Sequence, residues 1–151
     1  MMSELRRFLR EIEQEHAPLP DLLLIARDAN CKGHLPCQNT VRRLVADFRG
    51  PVVIAVPDPH VERWLLLDAA AFKTVLGRGC AAPDNKCERD RYKQRLIQSI
   101  LDAGIEPTAG GLEFARQLVD AMNLPRLERK DVSLGHLLQD LREQFKRWEQ
   151  A

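Results

Sequence analysis

Apolar positions along the chain follow two periods, and the switches between them lay out a mixed α/β protein. Over 3–16, SELRRFLREIEQEH, Leu5, Phe8, Leu9 and Ile12 recur at helical spacing with charges on the other face, which predicts a helix capped by Ser3. Residues 17–20 break it. The stretch 21–27, DLLLIAR, is then an unbroken apolar run, the pattern of a strand buried on both faces. It ends in Asp28-Ala29-Asn30-Cys31-Lys32-Gly33, where small residues and a glycine turn the chain. Residues 38–48 predict the next helix, with Val41, Leu44, Val45 and Phe48 on one face, closed by Arg49-Gly50.

The central stretch, 51–68, organises the rest. Val52, Val53, Ile54 and Val56 make a second apolar run, here β-branched, again a buried strand of the parallel type. Pro57-Asp58-Pro59 stops it, because two prolines remove backbone donors and fix φ. A helix is expected next, with Asp58 as N-cap, Pro59 in the first turn and Glu62 placed to favour the dipole. Helix, strand, helix, strand, helix is the alternation of a parallel α/β sheet with right-handed crossovers.

Beyond it the pattern is helical. Residues 61–76 carry Trp64, Leu65, Leu67, Ala71, Phe72 and Val75 and read as one packed helix. A Gly/Pro/Cys-containing loop covers 77–86, followed by helices predicted over 88–103, about 112–122, and 133–148 with Ser133 as cap. The reading is a single domain over 1–151, with an α/β part at 1–78 and a helical part at 79–151. Only two strands are legible, and two parallel strands do not make a stable sheet alone. The rest of the sheet is expected from elsewhere.

With 30% charged and 44% hydrophobic residues the chain is an ordinary globular protein, and a net charge of +1 gives no global field that would attract nucleic acid. Any nucleic-acid contact must come from local clusters. No run approaches the roughly 18 apolar residues of a membrane span, so the expected compartment is the cytoplasm. There Cys31, Cys37, Cys80 and Cys87 are expected as reduced thiols, with a zinc-stabilised binding module as the alternative. Five residues separate the first pair and six the second, which misses the usual spacing of zinc ligands.

Candidate chemistry gathers at the carboxyl ends of the two strands, where open α/β sheets place ligands. Asp28 and Asp58 follow the two strands and would be neighbours; Glu62 lies four residues past Asp58, on the same helix end. Three carboxylates together repel unless a cation binds, and an oxygen-rich set suits Mg²⁺ or Mn²⁺. The bland alternative is that both Asp residues are caps and turn formers. His60 is a candidate ligand or base. Lys86, Arg89, Arg91, Lys93 and Arg95 form a basic cluster able to meet phosphates or simply to face solvent.

The strand ending in DANCKG, the block VPDPHVERWLLLD, and KCERDRYK followed by GIEPTAGGLEFA together resemble a TOPRIM-like family of small bacterial proteins. That family is related to nuclease domains of the overcoming-lysogenization-defect type, and the resemblance covers about 20–142. It implies a three-layer TOPRIM-like (Rossmannoid) fold with a short parallel sheet and a helical carboxyl-terminal half. It also implies Mg²⁺-dependent action on nucleic-acid phosphodiesters, in defence against foreign DNA. Asp28 with Asn30 then stands where the family has Asp-x-Asp, and Glu62 matches the Glu of the Glu-Arg-Trp block. The catalytic set is Asp28, Asp58 and Glu62; the metal ligands are these three with Asn30. Lys32, His60, Arg63, Lys86, Arg89, Arg91 and Lys93 would bind substrate. The family's first strand and its Glu have no counterpart, since the chain opens on what would be the first helix. That departure implies a truncated start, a sheet completed by an ATPase partner or a second copy, or a non-catalytic interaction subunit.

Overall fold

In the computed structural model, residues 2–14 and 18–150 are described. The far end of the predicted first helix, at His16, lies outside them. Strands β1 (Leu23–Ala26) and β2 (Val52–Ala55) pair in parallel, Leu23 opposite Val52 and Ala26 opposite Ala55, with α2 (His34–Leu44) as the crossover. The adjacency and direction expected from the two apolar runs are therefore present. Among the described residues the sheet has these two strands, so the architecture is α/β with a minimal sheet.

One sheet face and the helices α1 (Met2–Gln14) and α2 enclose the first core, where Leu9, Cys37, Val41 and Val45 meet Ile54, Val56, Leu23 and Ile25. The opposite face is unevenly covered. Helix α8 (Val132–Glu149) packs against β2, and Val53 and Ala55 are buried. On β1 the same face is open: Leu24 is 54% exposed. The expectation of a strand buried on both faces holds for β2 and fails for β1, because a continuous apolar run does not reveal which of two strands the covering helix reaches.

A second core is wholly helical. Leu65 and Leu66 join Phe72 and Leu76 of α4 (Ala69–Leu76), Tyr92, Leu96 and Ile100 of α5 (Arg91–Asp102) and Leu118 of α6 (Ala115–Ala121). Helix α6 follows a single 3₁₀ turn, Leu112–Phe114. The predicted helix over 61–76 is in fact two, α3 (Val61–Leu65) and α4. Asp68 interrupts it by capping α4, its carboxylate accepting from the Ala70 and Ala71 amides. Asp68 is 2% exposed and fully partnered, since it also accepts from the Asn123 amide and pairs with Arg126 across α7 (Leu124–Leu127).

Helix α2 starts at His34 rather than at 38, with Pro36 in its first turn, where the missing N–H costs nothing. Helix α8 is capped by Asp131, not Ser133: Asp131 accepts from the Leu134 amide and from the Ser133 hydroxyl. Gly135 lets this first turn lie against the end of α7, because a Cβ there would fall 2.7 Å from the Glu128 carbonyl oxygen.

The cysteines depart from expectation. Cys31 and Cys87 form a disulfide that ties the β1–α2 turn to the loop before α5. Cys37 and Cys80 are free and lie against different cores. Burial pushes the Cys80 thiol up to about 11. A zinc site built on all four is thereby excluded, since two thiols are bonded to each other and the remaining two are in separate cores.

Candidate functional site

The carboxyl edge of the sheet is built by an exchange. Asp28, at the end of β1, accepts at 3.0 Å from the Val61 amide, the first residue of α3. Asp58, at the end of β2, accepts at 3.0 Å from the His34 amide, the first residue of α2. Each strand's aspartate thus caps the helix that follows the other strand. Asp58 was expected to cap its own helix, but that helix begins three residues later, after the cis Asp58–Pro59 peptide, with His60 at its N-cap. The two turns are held together further by backbone bonds from Ala29 to Pro57 and from Asn30 to Pro59.

This exchange separates the two aspartates into different clefts. The first cleft, of about 330 Å³, is lined by Asp28, Asn30, His60, Glu62, Arg89, Asp90 and Lys93. His60 Nε2 lies 3.2 Å from Asn30 Oδ1, which orients both side chains. Partial burial raises the Asp28 carboxyl above its ordinary value, opposed by the Val61 amide and His60 and reinforced by Glu62. Arg89 is almost fully exposed, its guanidinium 3.5 Å from the neighbouring Asp90 carboxylate.

The second cleft, of about 460 Å³, holds Asp58 beside His34, Arg63, Asn85, Lys130, Asp131 and Ser133. His34 Nε2 lies 2.9 Å from Nδ1 of His136 on α8. Burial first, and then His136, lowers the His34 pKa, against the pull of Asp58 and Asp131. Arg63 ion-pairs with Asp131, donates to the Asp84 carbonyl at 3.1 Å and reaches Asn85. Trp64 Nε1 donates to the Ser133 hydroxyl at 3.0 Å, so α3 and the start of α8 share one polar network.

Several expected roles change as a result. The trio Asp28, Asp58 and Glu62 does not converge, and among the described residues no group of three or more His, Cys, Asp or Glu side chains is placed to hold a metal. Arg63 was expected to bind substrate, but it is 8% exposed and each of its three guanidinium nitrogens already donates, to Asp84, Asp131 and Asn85. Arg91 is likewise occupied, by Asp84 and Glu88. Asp84 also accepts from the Tyr92 hydroxyl, and Arg91 holds its carboxyl far below the usual range. Lys32 and Lys86 are exposed and line neither cleft. Arg89 and Lys93 alone of the basic cluster stand in the cleft with Asp28 and Glu62.

Sequence reasoning missed the second cleft. His34, His136, Asp131 and Ser133 carry it, and His34 and His136 are 102 positions apart, beyond the reach of any local pattern. The Asp131-x-Ser133 pair before an apolar helix was the one available signal, and it reads as a cap.

The first cleft sets two carboxylates, Asp28 and Glu62, beside the cations Arg89 and Lys93. Mg²⁺ commonly takes one or two carboxylates and completes its shell with water and substrate phosphate. The carboxylates that could hold one here are Asp28, through the oxygen not used by Val61, and Glu62, while Asn30 Oδ1 already faces His60. No protein-family model, no curated protein and no solved structure matches this chain.

Proposed function

We propose that the protein is a TOPRIM-like domain that acts on nucleic-acid phosphodiesters at the first cleft with Mg²⁺ or Mn²⁺. The observation that supports this reading is one of placement. Asp28 and Glu62, from the ends of a strand and the start of a helix, share a cleft with Arg89 and Lys93, from the other half of the chain. Arg89 and Lys93 would hold a phosphate, and His60, fixed by Asn30, would orient or receive a proton from a water at the cleft. The bound cation would supply charge neutralisation and an acidified water, which is what phosphodiester hydrolysis needs.

The test is cleavage of end-labelled single- and double-stranded DNA and RNA in Mg²⁺ or Mn²⁺, with Glu62→Gln and Lys93→Ala beside the wild type. Cation-dependent cutting lost in Glu62→Gln supports the reading. Absence of cutting together with the absence of any Mn²⁺-induced rise in melting temperature sinks it.

A second reading, a non-catalytic interaction subunit with an ATPase partner, is favoured by the capping exchange. Asp28 and Asp58 both have structural work that accounts for their presence without chemistry. Under it, Asp28→Asn leaves partner binding unchanged, because Asn caps nearly as well as Asp.

A further inference from the structure

We propose that the chain forms a two-fold dimer in which the open edge of β1 pairs antiparallel with β1 of a second copy, centred on Leu24. Among the described residues nothing pairs with β1 on its far side. The Leu23 and Arg27 amides donate to the Pro51 and Ala55 carbonyls, each at 2.9 Å, so the odd-numbered residues of β1 are committed to β2. The groups of Leu22, Leu24 and Ala26 therefore point outward. This edge carries none of the usual protections: from Leu22 to Ala26 there is no charge, no proline and no bulge. Leu24 is 54% exposed, and Phe8 of α1, 48% exposed, lines an apolar groove of about 320 Å³ beside Ile25 and Ala26.

What selects a second copy as the occupant is that the strand is complementary to itself in one register. With Leu24 opposite Leu24, Leu22 meets Ala26 and every outward N–H and C=O finds a partner. Leu23 then meets Ile25 on the helix-covered face, and Asp21 of each copy meets Arg27 of the other, an attractive cross-strand pair at both ends. Sliding so that Leu22 meets Leu24 puts Pro20, which has no N–H, against Ala26 and leaves Asp21 against Ile25. Sliding the other way puts Arg27 against Leu23. Only the central register joins opposite charges and keeps proline out of the ladder. The result is a continuous four-stranded sheet, which answers the instability of a two-stranded one.

Sedimentation equilibrium of the full chain over a micromolar to submillimolar series tests this. The expected result is a monomer–dimer equilibrium whose dissociation constant rises about tenfold or more in Leu24→Lys, a substitution at an already exposed side chain. Asp21→Arg and Arg27→Asp should each weaken self-association, and mixing the two variants should restore a mixed dimer, because each then offers the charge the other lacks. Circular dichroism matching the wild type assigns these effects to the edge. A wild-type chain that stays monomeric throughout overturns the proposal and leaves the edge to a different strand. A dimer indifferent to Leu24→Lys, or singles that do not complement on mixing, overturns it equally. The readout is mass, so it stands or falls apart from any activity at the cleft.

Discussion

Arg63 of α3 and Asp131, the cap of α8, form a buried ion pair across 68 positions of sequence. It joins the strand–helix half of the molecule to the carboxyl-terminal helix, and its surroundings support it: Nε donates to the Asp84 carbonyl and Nη2 to Asn85. Removing one partner of such a pair leaves an uncompensated buried charge, which costs about 3–5 kcal/mol. Arg63→Met is expected to lower the unfolding free energy by about that amount in urea titrations. Arg63→Met with Asp131→Asn should recover part of the loss, since Asn keeps the cap without the charge.

The capping exchange predicts a distinct pattern for the two edge aspartates. Asp28→Ala and Asp58→Ala should each cost about 1 kcal/mol by chemical denaturation, the usual value of an N-cap. Asp28→Asn should equal or exceed the wild type at neutral pH. The Asp28 carboxyl is raised by burial, so its favourable contribution is present at acid pH and is lost as pH rises through that raised value. The advantage of Asn should therefore shrink as the pH is lowered toward 4, the ordinary range of the group. An Asn variant markedly weaker than wild type at neutral pH contradicts this.

Acid should loosen the second cleft. The folded state disfavours the charged form of His34, through burial and His136, so the stability tied to this group is present above its ordinary pKa of 6.5 and is lost as pH falls through its lowered folded value. Urea midpoints should decline as pH falls below the ordinary value of about 6.5, and His34→Gln should flatten that part of the profile. An unchanged profile in the variant assigns the decline to other groups.

Reduction offers a third handle. The Cys31–Cys87 bond closes a loop of sequence separation 56, for which the chain-entropy estimate is about 4 kcal/mol of stabilisation. Denaturation with and without a phosphine reductant should differ by roughly that much, and the difference should vanish in the Cys31→Ser, Cys87→Ser double variant. On the nucleic-acid reading proposed above, the reduced protein should also bind nucleic acid more weakly at the first cleft, because Arg89 and Lys93 follow Cys87 closely.

The parallel strands were legible because a short apolar run between turn signals has few alternatives: 21–27 and 51–56 contain the observed Leu23–Ala26 and Val52–Ala55. What the runs lacked was environment. The runs LLLIA (22–26) and VVIAV (52–56) look equally apolar, yet only β2 meets α8, and Leu24 faces outward. The break between α3 and α4 was in principle readable from Asp68 followed by three alanines, a cap before a good helix former, but the surrounding leucines masked it. At the site, Asp28, Asn30, His60, Glu62, Arg89 and Lys93 were named from sequence and share a cleft. Asp58 was named with them and lies in another, because the direction of a carboxylate is fixed by which amide it reaches. Arg63 and Arg91 were expected as ligand cations, and neither the Glu-Arg-Trp block nor the charge run around Arg91 discloses that Asp131 and Asp84 already answer them.

The exchange of caps also bears on the order in which the chain can assemble. An ordinary helix carries its cap beside it and can complete its first turn as a local event. Here α2 and α3 depend on carboxylates 24 and 33 positions away. Neither helix start is finished until both strands lie side by side, and once they do both are finished together. The His34 and Val61 amides are thus two clocks set by one event: in native-state hydrogen exchange they should open as a single unit, although the sequence puts them in different helices.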